Sequence, residues 1–145
     1  IFEGLPKRII GRLLPKMFEK DYAPGDIVFR AGDPGRSLFV ILEGEVEIVR
    51  HWPGGEADQR IALLGDNTAF GELALIDEQP RSATARVLKP TRMLILYRTE
   101  FEAMIDGEPK VALALARNLL RLLARYVRSS SSLYQTGTGT DTGAR

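Results

Sequence analysis

Residues 24–48 read PGDIVFRAGDPGRSLFVILEGEVEI. Glycine, proline and aspartate cut this stretch at PGD, AGDPG and EG, leaving short runs rich in Val, Ile, Leu and Phe: DIVFR, SLFVIL and EVEIVR. Runs of this length between turn residues are strands. EVEIVR alternates, with Val46 and Ile48 inward and Glu45 and Glu47 outward. SLFVIL is apolar nearly throughout and is expected to be buried on both faces. The same punctuation continues outward, with FEKDY before the stretch and QRIALL, ATARVL and RMLILY after it, separated by APGD, WPGG and LGDN. Many short strands joined by glycine turns predict a barrel or sandwich.

Helices flank the strands. In EGLPKRIIGRLLPKM, Ile9, Leu13 and Met17 fall four apart, as do Ile10 and Leu14, so a short amphipathic helix leads in, with Pro6 near its first turn and Pro15 disrupting its end. After the strands, Thr99 with Glu102 three residues on suggests a capping box, and Pro109 opens a longer helix to about Arg128. The domain is therefore expected over residues 1–128. Residues 129–145, SSSSLYQTGTGTDTGAR, carry little apolar content and are expected to form a flexible polar tail.

A length of 145 residues suits one domain, and 44% hydrophobic content supports one core. With 20 Lys plus Arg against 19 Asp plus Glu, no global field draws this chain to nucleic acid or an anionic membrane, so any anion site must be local. Absence of cysteine excludes a disulfide, a thiolate nucleophile and a Cys-based metal site, and fits a reducing, cytoplasmic setting. No apolar run reaches the length of a membrane span, and no signal peptide is visible. The initial Ile1 suggests a piece of a longer protein.

Between QRIALL and ATARVL lies FGELALIDEQPRSATA, residues 70–85, read as a loop with one helical turn, ELALI. Gly71 lets backbone approach a ligand, and the first N–H groups of the turn have no internal partner, which suits an anion. Arg81 adds a planar guanidinium that can meet two phosphate oxygens, with the N–H groups of Ser82 and Ala83 beside it. Glu72 would repel a phosphate but can accept from an adjacent sugar hydroxyl. An acid for a ribose and an arginine for a phosphate on one loop describe a nucleotide site.

FGELAL followed by PRSATA resembles the phosphate-binding cassette of the cyclic-nucleotide-binding domains, the family of bacterial catabolite activator proteins, protein kinase A regulatory subunits and cyclic-nucleotide-gated channels. Residues 24–48 resemble that family's leading strands, with Gly25, Gly32, Asp33 and Gly44 at turn positions. The resemblance covers about residues 5 to 128. It implies an α+β, mainly β fold: an eight-stranded jelly-roll β-roll, or double-stranded β-helix, with an N-terminal helix and C-terminal helices. It also implies cAMP or cGMP as ligand. Gly71 would approach the ligand, Glu72 take the ribose 2′-hydroxyl, Arg81 pair the cyclic phosphate, and Ser82 and Ala83 donate to it. Phe70, Leu73, Ala74 and Thr84 complete the expected lining. In the family a threonine after the cassette arginine resembles the cGMP-preferring pattern and an alanine the cAMP pattern; Ser82 fits either, and a leucine-rich lid favours cAMP.

Other readings of these residues stay beside this one. Glu72 and Arg81 could form a plain salt bridge in a nucleotide-blind β-roll that serves as an interaction module. His51, beside Trp52 in a hairpin loop, reads as a surface residue; without a second histidine, no His-based metal site forms. GTGTGT lacks a GK[ST] ending and reads as linker, and Asp77 with Glu78 as solvated turn residues. No nucleophile has a base, so the chain is read as no enzyme, with no metal and no catalytic cofactor. Along the final helix, Leu115, Leu119, Leu122 and Tyr126 form one stripe, and Leu113, Ala116, Leu120, Leu123 and Val127 a second. Two apolar stripes predict packing on a partner chain, a missing domain or the bound base, while Arg117, Arg121, Arg125 and Arg128 form a solvated row from which Arg121 or Arg125 can reach the ligand as lid contacts. The resemblance implies that this helix moves onto the base and dimerises. The expected function is thus a cyclic nucleotide sensor that allosterically regulates a larger protein. The polar tail suggests a channel or transporter at the cytoplasmic side of a membrane; a DNA-binding regulator truncated before its reading domain is the alternative, with no nucleic acid bound by this chain alone.

Overall fold

Strand β3 (Ser37–Glu43) shows how the fold is organised. Its residues Ser37 to Ile41 are all buried, yet they serve two cores. Leu38 and Val40 pack with helical residues Ile9, Leu13, Phe101, Met104, Val111, Leu115 and Leu119. Phe39 and Ile41 pack with Val46, Phe70, Ala85, Val87, Met93 and Ile95 inside the strands. Side chains alternate across a strand, so a strand with a core on each face must be apolar on both.

The computed structural model describes residues 1–55 and 57–137. Helix α1 (Lys7–Leu13) ends in a 3-10 turn, Leu14–Lys16, with Pro15 inside it. Strands β1 (Phe18–Tyr22), β2 (Ile27–Phe29), β3, β4 (Val46–Arg50), β5 (Gln59–Leu64), β6 (Ala69–Phe70), β7 (Thr84–Val87) and β8 (Thr91–Tyr97) follow, then α2 (Arg98–Gly107) and α3 (Pro109–Gly137). The strands form two antiparallel four-stranded sheets, ordered β1-β8-β3-β6 and β2-β7-β4-β5. This is the expected eight-stranded roll with helices at both ends. Gly44, at φ 132°, turns β3 into β4 where a Cβ would overlap Thr91, so only glycine fits.

Four local expectations change. Strand β6 was not among the strand runs because two residues show no period. Thr99 and Glu102 form no capping box: α2 begins directly off β8 at Arg98, with Tyr97 as N-cap and no side-chain cap bond, so Thr99 already lies inside the helix. Glu47 does lie on the outward face, but it is buried there. Arg60 reaches it at 2.8 Å and Arg86 at 2.6 Å, and those partly exposed guanidiniums shield it. Hydrogen bonding from Arg86, then Arg60, holds its carboxyl below the usual range against the opposing effect of burial. Finally, α3 does not stop at Arg128 but continues to Gly137, so the backbone of residues 129–137 is helical rather than a flexible tail. A propagating helix gains one hydrogen bond per added residue, and neither glycine nor proline interrupts it between Lys110 and Thr136. Residues 138–145 of the expected tail lie outside the described residues.

Candidate functional site

The loop between β6 and β7 carries the site. Gly71 stands in the left-handed region at φ 73° and starts a 3-10 turn, Glu72–Leu75. A Cβ on Gly71 would come 2.6 Å from Arg81 Nη1 and 3.3 Å from the Ser37 carbonyl oxygen. The close approach that requires glycine is therefore to the arginine as well as to any ligand.

Arg81 is held from several directions. Its backbone N–H donates to the Asp33 carbonyl and its carbonyl accepts from the Gly32 N–H, both at 2.8 Å, which clips the loop to the β2–β3 turn. Pro34 and Pro80 form a bridge beside it. The guanidinium donates from Nη2 to the Ser37 carbonyl at 2.7 Å and from Nη1 to the Gly71 carbonyl at 3.2 Å. Its central carbon lies 4.2 Å from the centroid of the Phe29 ring. Nε is buried without a hydrogen-bond partner. Such an orphan donor costs about 1 to 3 kcal/mol unless an acceptor meets it. Burial lowers the affinity of this guanidinium for its proton, while Asp33 and Glu72 oppose that effect. Arg81, Ser37, Phe29, Phe39, Val28, Asp33, Pro34 and Arg36 line a cavity of about 310 Å³.

Glu72 is buried at 8% exposure. Its carboxyl is raised above the usual range chiefly by burial, with its own backbone N–H and Arg81 pulling the other way. No ion pair joins Glu72 to Arg81 among the described residues, which removes the reading of the two as a plain salt bridge. Phe70 is buried against Phe39, their centroids 5.2 Å apart. Ala74 is buried, whereas Leu73 and Ile76 face outward. Ser82 is exposed and Ala83 buried beside Arg81. The Thr84 hydroxyl accepts the Ala31 N–H at 3.0 Å, a bond that closes the β2 end of the loop.

On helix α3, Tyr126 is partly exposed, its phenol raised by burial and, secondarily, by the charge of Glu72. Leu115 and Leu119 of the inner stripe are buried, while Leu113, Leu120 and Val127 of the outer stripe are 54%, 62% and 65% exposed. Among the described residues nothing covers Leu113, Leu120 and Val127, whereas Ala116 packs against the helical core. Arg121 and Arg125 are not brought to the cassette. Arg121 donates to Asn118 Oδ1, Arg125 lies 4.0 Å from Glu3, and both line a separate cavity of about 240 Å³ with Ile1, Gly4 and Leu122. The register of α3 turns them toward the N-terminal segment, which Asn118 holds by donating to the carbonyls of Ile1 and Glu3.

Two contributors have no sequence signal of their own. Phe29 reads as an ordinary strand residue. Arg98, the first residue of α2, donates to the carbonyls of Asp77 at 3.0 Å and Ala74 at 3.4 Å, tying the end of the 3-10 turn to the helices. His51 is a surface residue 3.4 Å from Asp58.

Residues 19–108 match the family described as cyclic nucleotide-binding domain. A cyclic AMP receptor protein of Thermus thermophilus is 35% identical over 130 residues, which span 90% of this chain and 58% of that protein. A cyclic nucleotide-gated potassium channel of Mesorhizobium japonicum is 27% identical over 112 residues, 77% of this chain and 29% of the channel. The crystal structure of a cyclic nucleotide-binding domain from Methylobacillus flagellatus superposes with a TM-score of 0.83 at 27% identity, covering 98% of this chain and 79% of that one. The chain thus spans little more than half of the receptor it matches. Among the described residues no helix is long and apolar enough to cross a membrane.

Proposed function

Because the chain belongs to the cyclic nucleotide-binding domain family, we propose that it is a non-catalytic cytoplasmic sensor of cyclic nucleotide, cAMP in preference to cGMP, that regulates a larger protein through α3. The observation that carries this reading is Arg81, a part-buried guanidinium whose Nε has no hydrogen-bond partner, on the wall of a cavity of about 310 Å³. Arg81 pairs the cyclic phosphate, the Ser82 and Ala83 N–H groups donate to it, and Glu72 accepts from the ribose 2′-hydroxyl. A ligand that binds better with α3 closed shifts the population toward closure by that difference in affinity. Arg121 and Arg125 would contact the base only if α3 moves from the position in which they face the N-terminal segment.

The outer stripe supports self-association. Leu113, Ala116, Leu120, Leu123 and Val127 follow a 3-4-3-4 spacing, the seam of a two-helix coiled coil. For the parent protein, a transcription regulator is favoured over a channel: the likeness to a cAMP-activated global transcriptional regulator of Mycobacterium tuberculosis runs over 132 residues against 112 for the channel. Calorimetric titration with cAMP, cGMP and linear AMP tests the ligand class. One saturable site for the cyclic nucleotides is expected, with cAMP the tighter; no heat with either cyclic nucleotide would refute the sensor reading.

A further inference from the structure

We infer that Phe29 is a positioning residue for the phosphate-binding arginine, its ring setting the plane of the Arg81 guanidinium. This rests on the reading of Arg81 as the phosphate partner. The carbonyls of Ser37 and Gly71 accept hydrogen bonds that lie in the guanidinium plane, so they fix where the group sits within that plane. They do little to fix its tilt. The group lies over the Phe29 ring, its central carbon 4.2 Å from the centroid, with Phe39 more distant at 5.7 Å. A cation over an aromatic face within about 6 Å is attracted by the ring quadrupole, most strongly where water is excluded.

The platform is itself held. Phe29 is the last residue of β2, paired with Ala85 of β7, and its ring meets Phe39 at 5.8 Å and Phe70 at 6.0 Å. Phe39 and Phe70 are cross-strand partners in the other sheet and stack on each other. Phe29 and Phe39, one from each sheet, thus lie under one guanidinium, with Phe70 packed against both rings. That guanidinium leaves its buried Nε without a partner, on a residue that lines the cavity together with Phe29 and Phe39. A fork of N–H donors engages two phosphate oxygens only when its plane contains both, so a ring that fixes the tilt prepares the bidentate geometry before the ligand arrives. Phe29 need not touch the nucleotide to do this.

The test uses Phe29→Leu, which keeps apolar bulk and loses the ring, and Phe29→Tyr, which keeps the ring. In NMR spectra without added nucleotide, the Arg81 Nε–H proton, assigned by its loss in Arg81→Lys, should carry a ring-current shift that persists in Phe29→Tyr and disappears in Phe29→Leu. By calorimetry Phe29→Leu should weaken cAMP by about 5- to 30-fold while Phe29→Tyr stays within about twofold of the parent. An Nε–H resonance unmoved by Phe29→Leu, or equal affinity of Phe29→Leu and the parent, would overturn the inference. So would equal losses in both variants, which indicate packing alone. If the parent bound no cyclic nucleotide, the cassette reading would fall and the resonance comparison would still decide the platform.

Discussion

Replacing Gly71 with alanine separates two costs that a single glycine avoids. The first is backbone strain: at φ 73° a residue with a Cβ costs about 1 to 2 kcal/mol. The second is steric, because the new Cβ would stand 2.6 Å from Arg81 Nη1. The obstructing atom is the end of a flexible side chain, so the guanidinium moves rather than the backbone. Moving it strains the bonds to the Ser37 and Gly71 carbonyls; a charge-assisted bond is worth about 1.5 to 3 kcal/mol, and a displaced guanidinium regains water, so the total loss of stability is roughly 2 to 4 kcal/mol. A domain of this size survives that. Affinity for cAMP should fall at least about tenfold, because the phosphate partner has been displaced. Gly25→Ala is the control, with φ 90° and nothing within 4 Å of the added Cβ. It should show the backbone cost in urea denaturation and unchanged cAMP affinity in calorimetry. Gly71→Ala binding cAMP within twofold of the parent would refute the argument that Arg81 is set by its contact with Gly71.

Three further outcomes are expected. Burial raises the Glu72 carboxyl in the folded state, so the stability linked to it is full below the unfolded carboxyl range and is lost as pH rises through the folded value. Glu72→Gln should therefore stabilise the protein without added nucleotide at about pH 7 but not at about pH 3, while weakening cAMP more than 2′-deoxy-cAMP; equal stability gains at both pH values would contradict the burial argument. Leu120→Glu, on the exposed stripe, should convert a dimer to a monomer in sedimentation without changing the melting of the β-roll, and a monomeric parent would dismiss that interface. Ser82→Ala should weaken cGMP by up to about tenfold and cAMP less, as one hydroxyl bond allows; the reverse order in paired titrations would remove Ser82 from ligand choice.

Where a physical constraint repeats along the chain, the fold was legible. QRIALL matches β5 residue for residue, and the unbroken SLFVIL foretold a strand with a core on each face. Strand β6 has too few residues to show a period, and the end of α3 depends on propagation through serines whose composition argues for disorder. The loop that carries Gly71, Glu72 and Arg81 was legible because glycine, acid and arginine stand close together between two strands. Their partners were not: Ser37 contributes a backbone carbonyl, Phe29 arrives from the other sheet, and Arg98 acts from α2. None of those roles leaves a mark in residue type. That Arg121 and Arg125 face the N-terminal segment was not legible either, since helical periodicity gives the angle between side chains but not the direction in which the helix docks. Glu47 shows the same limit, outward by alternation yet buried by Arg60 and Arg86.

The most direct test of cyclic-nucleotide binding through Arg81 is calorimetric titration of cAMP into the parent and into Arg81→Ala, with thermal melting to confirm that both are folded. Leaving the phosphate without its guanidinium should cost about 2 to 5 kcal/mol, a loss of roughly 30-fold to several thousand-fold in affinity, in a domain that still melts cooperatively. Equal affinity of a folded Arg81→Ala variant and the parent would contradict the account.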